Sequence, residues 1–260
     1  MEFVSPILSG DTGLDEVRAF CKSAKELGFE VNGDCGYHLH LDMRDTNISM
    51  RKSIAYAYRL TYPIWSSLVN QYRAHDCQYC CAPNYTAADI VQIPGFLGWC
   101  ECRNRYEFVN LAAYSRHRTF EIRGYQGTLN PVEIINWIDA HLRFVAFVKD
   151  KPLTELLVLL TSWKAFKKIL GPDLARYYGR KKRPEPEPVR ATEVLGGRPA
   201  PISWVYGEPR DRDLRGRSLY QSTPTDSFNE FVWHYGPPEV SIGEQLVGRL
   251  ENFNLTRRER

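Results

Sequence analysis

The chain has 260 residues, of which 43% are hydrophobic and 25% charged, enough apolar material for one large domain or one domain with a smaller appendage. Its 34 Lys and Arg against 31 Asp and Glu leave a formal net charge of +3, which supplies no general attraction to nucleic acid. No apolar run reaches the length that spans a bilayer and no basic-then-apolar leader is visible, so a cytoplasmic protein without a membrane partner is the expectation.

Residues 1–8 read as a short strand. Asp11 is placed as the N-cap of a helix in which Leu14, Val17, Cys21, Ala24 and Leu27 recur at helical spacing up to Gly28. A glycine-bearing loop, Asn32-Gly33-Asp34-Cys35-Gly36, then feeds the alternating run Tyr37-His38-Leu39-His40-Leu41-Asp42. Successive side chains of a strand point to opposite faces, so His38, His40 and Asp42 share one face and Tyr37, Leu39, Leu41 and Met43 the other. Histidine suits metal ligation, phosphate contact or proton transfer near neutral pH. Two strand histidines satisfied by ordinary hydrogen bonds are an equally good reading of H-x-H alone.

Residues 48–72 carry a second helical pattern through Ile54, Tyr58, Trp65, Leu68 and Tyr72, which Pro63 is expected to kink or break. Residues 75–104 read as an irregular excursion holding Cys77, Cys80, Cys81, Cys100 and Cys102, five of the seven cysteines. Without a secretion signal these are read as thiols. Cys77-x-x-Cys80 with Cys100-x-Cys102, and His75 nearby, could hold a structural zinc. The second pair is spaced unusually for a zinc ribbon, and cysteine is often simply buried.

Strand candidates follow at residues 106–111 and 118–124. In the second, Thr119, Glu121 and Arg123 share a face opposite Phe120 and Ile122. A buried carboxylate and guanidinium need compensation. They form either an edge ion pair or a metal-ligating Glu beside an Arg that grips phosphate or carboxylate with both prongs. Asn130-Pro131 opens a helix by cap and first-position chemistry, with Ile134, Ile135, Ile138, Leu142, Val145 and Phe147 as its buried face. A further helix over 153–169 is expected to stop at Gly171-Pro172. Residues 179–203 are basic, then acidic and proline-rich, and read as an extended linker. Residues 204–260 keep aromatic side chains without clean periodicity and read as a tail lying over the main domain.

Five segments occur together and in order over residues 1–150: Glu2-Phe3-Val4-Ser5-Pro6-Ile7-Leu8; Asn32-Gly33…Gly36-x-His38-x-His40; Arg105-Tyr106…Asn110-Leu111; Thr119-Phe120-Glu121-Ile122-Arg123; and Gly127-Thr128-Leu129-Asn130-Pro131…Asn136-Trp137-Ile138. The set resembles the amidoligases of the carboxylate–amine ligase group, relatives of glutamine synthetase. The resemblance implies an α+β domain over residues 1–178, with a twisted antiparallel sheet backed by helices and a polar concave face that holds ATP and magnesium or manganese. It implies metal ligation by Glu2, His38 and Glu121, with His40 facing ATP phosphates. Arg123 and Arg118 resemble the arginines that hold phosphate or substrate carboxylate; Arg116 and Asn110 rank below them. Members of that family carry a Glu-x-Glu strand ahead of the Glu-x-Val-Ser-Pro segment, and no such strand precedes Glu2 here, so the first strand of the sheet is expected to be missing.

The implied activity is an ATP-dependent ligase that joins a carboxylate to an amine through an acyl phosphate. The competing expectation is a catalytically inactive relative that serves as a binding or assembly module. A zinc hydrolase built on H-x-H ranks third, because no third histidine stands at a natural spacing.

Overall fold

The computed structural model describes residues 3–74, 77–160, 162–182 and, by its backbone, the strand 229–233. The elements run β1 (Val4–Leu8), α1 (Gly10–Glu26), β2 (Gly36–Asp42), α2 (Ile48–Ser67), α3 (Gln71–Ala74), α4 (Ala87–Val91), α5 (Phe96–Glu101), β3 (Val109–Asn110), α6 (Ala113–His117), β4 (Thr119–Gln126), α7 (Pro131–Val148), α8 (Leu153–Leu159), α9 (Trp163–Lys181) and β5 (Asn229–Trp233). The strands form one sheet in the order β1-β5-β2-β4-β3. The fold is α+β. Its sheet is mixed rather than antiparallel throughout: β5 runs parallel to both β1 and β2, whereas β4 is antiparallel to β2 and β3.

β5 is the main departure from the expected layout. It comes from the stretch expected to be a tail lying over the main domain, yet it lies inside the sheet and fills the gap between β1 and β2. β1 stands at the sheet edge with Val4 and Ile7 62% and 58% exposed. Among the described residues no strand pairs with its outer side. The expected linker begins inside α9, which runs to Lys181, and residues 183–203 lie outside the described ones.

Local chemistry accounts for most helix ends. α1 starts after Ser9 rather than at Asp11, which sits in the first turn where its charge complements the helix N-terminus. It closes in a Schellman motif: Phe29 N donates to Ala24 O at 2.9 Å, Gly28 N to Lys25 O at 3.0 Å, and Gly28 takes φ +75°. α2 is capped by Asn47, whose side chain accepts from Met50 N. It continues past Pro63 to Ser67, so that of the expected kink or break the break does not occur. Proline costs a helix interior about 3 kcal/mol. The burial of every residue from Ser53 to Arg59 outweighs that cost. The helix expected over 153–169 is two helices, and the second continues across Gly171-Pro172 with a kink at Gly171, φ 77°.

The excursion is less irregular than its sequence suggests. α4 carries a full capping box between Thr86 and Asp89. Arg103 then ties the segment together: Nη2 donates to Asn84 O at 2.5 Å and to Glu107 Oε1 at 2.7 Å, beneath the rings of Tyr85 and Trp99.

One face of the sheet is the core. Tyr37, Leu39, Leu41, Phe120, Ile122 and Tyr125 are all buried there. Trp137 of α7 meets Tyr125 with ring centroids 4.5 Å apart, and Phe96 of α5 stacks on Phe120. Strict alternation would send Tyr125 to the opposite face with Glu121 and Arg123. A register slip prevents this: Tyr37 pairs with Tyr125 but Leu39 with Ile122, so Arg123 and Gly124 together oppose His38. Such a bulge reverses which face the following residues use. Gly124 fits here because a Cβ would sit 1.8 Å from the Phe108 ring. α7 starts as expected, with Asn130 Oδ1 accepting from Val132 N at 3.1 Å, although Phe147 turns toward solvent. No helix among the described residues is long and apolar enough to cross a membrane.

His141 of α7 lies wholly inside this core. Its ring stacks on Trp65 at 4.0 Å, and its Nδ1 is 2.8 Å from the Tyr58 hydroxyl. Burial pushes its pKa well below 6.5, so the folded protein keeps it neutral. Below pH 6.5 the unfolded chain takes up a proton that the folded chain refuses. The stability is therefore present above 6.5 and is lost as the pH falls beneath it, at up to about 1.4 kcal/mol per pH unit. Urea midpoints between pH 7 and pH 5 should decline with this slope in the native chain, and the decline should be shallower by about one proton in His141→Phe.

Candidate active site

The opposite face of the sheet is polar. β2 contributes His38, His40 and Asp42, and β4 contributes Thr119, Glu121 and Arg123. The register sets His40 across from Glu121 and Asp42 across from Thr119. β3 adds Asn110 directly opposite Glu121. The alternation read from the sequence therefore brings His38, Glu121 and Arg123 together, with His40 as the next residue on the same face.

Glu121 is the hub. Its Oε1 accepts from Arg123 Nη1 and lies 3.1 Å from His38 Nδ1, while Oε2 accepts from Asn110 Nδ2 at 2.5 Å. Glu121 is 3% exposed, Arg123 1% and His38 0%. Burial alone would raise the Glu121 pKa. The hydrogen bond from His38 and the charge of Arg123 override it and hold the carboxyl well below the usual carboxylate range. Asn110, ranked low from sequence, is one of its direct partners.

Arg123 is held from three sides. Besides Glu121, its Nε donates to Tyr79 O at 3.2 Å, and Arg73 Nη2 donates to its carbonyl at 2.8 Å. Arg73 is a site residue the sequence reading missed. It is 2% exposed, and its guanidinium occupies the space a side chain at position 36 would need, 2.7 Å from that Cβ position. The same position lies 3.3 Å from His38 Nε2, which sets Arg73 beside the histidine. A glycine sharing the histidine face was the one signal in the sequence that something bulky belonged there.

Toward the other end of the strands, His40 Nδ1 is 2.8 Å from Thr119 Oγ1, which fixes its ring. Asp42 is gripped by Arg44, whose Nε and Nη2 reach both carboxylate oxygens. Arg118 and Arg116 are not in the buried cluster. Arg118 ends α6 in the left-handed region at φ 59° instead of opening the strand, and its guanidinium lies over the Tyr114 ring. Both arginines are exposed. Glu2 lies outside the described residues.

The cysteine tetrad is not supported: Cys100 is 0% exposed in the hydrophobic core and Cys102 is exposed. No group of three or more His, Cys, Asp or Glu among the described residues is arranged to hold a metal. His38 and the ionised Glu121 have the right chemistry for two ligands of a hard dication. Both oxygens of Glu121 are already engaged, so an incoming ion would have to displace Asn110 or Arg123.

Arg123 and His38 contact the Glu121 carboxylate and the buried Arg73 guanidinium stands on the Arg123 carbonyl beside His38, an excess of positive charge that suits an anionic ligand. Removing the carboxylate charge should be costly. Glu121→Gln strands Arg123 beside Arg73, and losing one partner of a buried pair costs about 3–5 kcal/mol. Urea unfolding should report this loss, and Glu121→Gln combined with Arg123→Met should regain most of it. If the single variant unfolds at the native urea concentration, the hub does not anchor this face.

Comparison with protein-family models, with curated proteins and with solved structures returns no match to the chain, so the chemistry of this face rests on its own residues.

Proposed function

We propose that this domain is an ATP-dependent carboxylate–amine ligase. The observation that carries the reading is the convergence of the amidoligase-like motifs on one polar face: His38 and His40 from the first histidine strand, Asn110 from the short strand, and Glu121 and Arg123 from the third.

In this reading the γ-phosphoryl group of ATP passes to an oxygen of the substrate carboxylate, which leaves ADP and an acyl phosphate. The amine then attacks the acyl carbon, loses a proton, and phosphate departs. Phosphoryl transfer asks the protein for positioning and charge more than for covalent chemistry. Arg123, with Arg73 at its back, supplies positive charge held in place before the ligand arrives, and donors of that kind act strongly in a dry site. Glu121 keeps Arg123 and His38 in their orientations. Thr119 holds the His40 ring toward the phosphates. Arg116 and Arg118, exposed beside the start of the strand, attract the incoming anion rather than take part in the transfer. Magnesium or manganese, when bound, neutralises phosphate oxygens, with His38 and Glu121 as the residues that would hold it.

A second reading, a catalytically inactive binding or assembly module, is favoured by one observation: every oxygen of Glu121 already has a donor from within the protein. ADP release with magnesium, over a panel of amino acids and small amines, separates the two. Turnover that requires both a carboxylate and an amine, and that falls on the order of a hundred-fold in a folded Arg123→Lys variant, supports the ligase. Nucleotide binding without turnover favours the module. A chain that binds no nucleotide with magnesium present overturns the ligase reading.

A further inference from the structure

The turn that supports Arg123 from above contains Cys77-Gln78-Tyr79-Cys80. Cys80 N donates to Cys77 O at 3.2 Å, closing a turn that sets Cys77 at one end and the Cys80 thiol at the other, within the Cα separation of about 7 Å that such a turn imposes. The same thiol lies 2.9 Å from Arg73 O. Cys77 is partly exposed, whereas Cys80 is buried. One cysteine of the turn therefore reaches solvent while the other is held inside the protein.

We propose that Cys77 and Cys80 form a reactive dithiol that exchanges with low-molecular-weight disulfides of the glutathione type. The Cys77 thiolate attacks one sulfur of the incoming disulfide, whose S–S bond breaks and releases one thiolate. Cys80 then loses its proton, attacks the Cys77 sulfur of the mixed disulfide and expels the second thiol. Two protein thiols and one disulfide become one protein disulfide and two small thiols, with no other oxidant.

Electrostatics agree with this division of roles. The neighbouring Cys80 thiol, the nearby Arg73 charge and the backbone amides of Tyr79 and Cys80 pull the Cys77 pKa down to about 6 against the effect of burial. The Cys77 sulfur, followed by burial, pushes the Cys80 thiol up. Oxidation would also reach the polar face. It removes the thiol donor from Arg73 O and draws in the turn whose Tyr79 carbonyl holds Arg123 Nε. The dithiol itself does not depend on the ligase reading, and its test uses no ligase activity.

The full reduced chain is alkylated with iodoacetamide from pH 5 to pH 9 and each cysteine is followed by peptide mass mapping. A low-pKa thiolate is also a weaker nucleophile, so the pH profile is more telling than the rate at one pH. Cys77 should reach half its maximal rate near pH 6 and level off above neutrality. Free N-acetylcysteine, alkylated alongside as the reference thiol, should keep rising about tenfold per pH unit until near pH 8. Oxidised glutathione should then give a Cys77–Cys80 disulfide in the native chain and a persistent mixed disulfide on Cys77 in Cys80→Ser. In Cys77→Ser, exchange in this turn should disappear. A Cys77 profile that follows that of the reference thiol, a disulfide mapping to Cys80 and Cys81 instead, or no mixed disulfide on Cys77 in Cys80→Ser would each overturn the proposal.

Discussion

A carboxylate that is 3% exposed has few ways to stay ionised, and the layout around Glu121 follows from that constraint. Taken from water alone, the charge would be lost to protonation. It survives because Arg123 and His38 approach one oxygen and Asn110 the other. These partners come from three different strands, so the ion pair doubles as a register lock. A one-residue slip of β4 would turn Glu121 into the core, against Leu39 and Leu41, and bring Phe120 or Ile122 to the histidines. The bulge at Arg123 and Gly124 occurs just beyond the hub, where alternation is no longer needed on the polar side and Tyr125 is needed on the other.

The polar face divides into two halves of different character. Around Glu121 everything is dry, and the charges there act at low dielectric. Around Asp42 the partner is the partly exposed Arg44, and the neighbouring Arg116, His117 and Arg118 are exposed. Charge in that half is screened by salt within about 8–10 Å. An anion approaching along the strands would thus meet weak, long-range attraction first and strong, fixed donors last.

How much of this was legible follows from where information is local. Alternation in Tyr37–Asp42 and Thr119–Arg123 is a property of neighbouring residues, and it correctly grouped His38, Glu121 and Arg123. The start of α7 is also local, since Asn130-Pro131 carries its own cap. Arg73 was not legible: it sits on a one-turn helix with no periodicity, and its meaning depends on contact with Gly36, far away in sequence. Arg118 looked like the first residue of an alternating strand, but the end of α6 claims it in a left-handed conformation. Pro63 looked like a kink or a break and Gly171-Pro172 like a helix end because local propensity says so, and the tertiary structure overrode it. β5 was not legible because its five residues are too short a run for periodicity to mark, and its partners β1 and β2 lie far away in sequence.

The insertion of β5 also sets an order of events. β1 and β2 are close in sequence, yet neither pairs with the other; each pairs with Asn229–Trp233. β2, β4 and β3 can assemble from a much shorter length of chain. Of the described strands β1 is thus among the last to find its place, since the partner it has among the described residues is made some 220 residues later. At ordinary synthesis rates that interval is roughly 10–45 s. Through it Val4 and Ile7 remain on an unpaired strand, and a nascent chain in that state depends on dilution or a chaperone to stay apart from its neighbours.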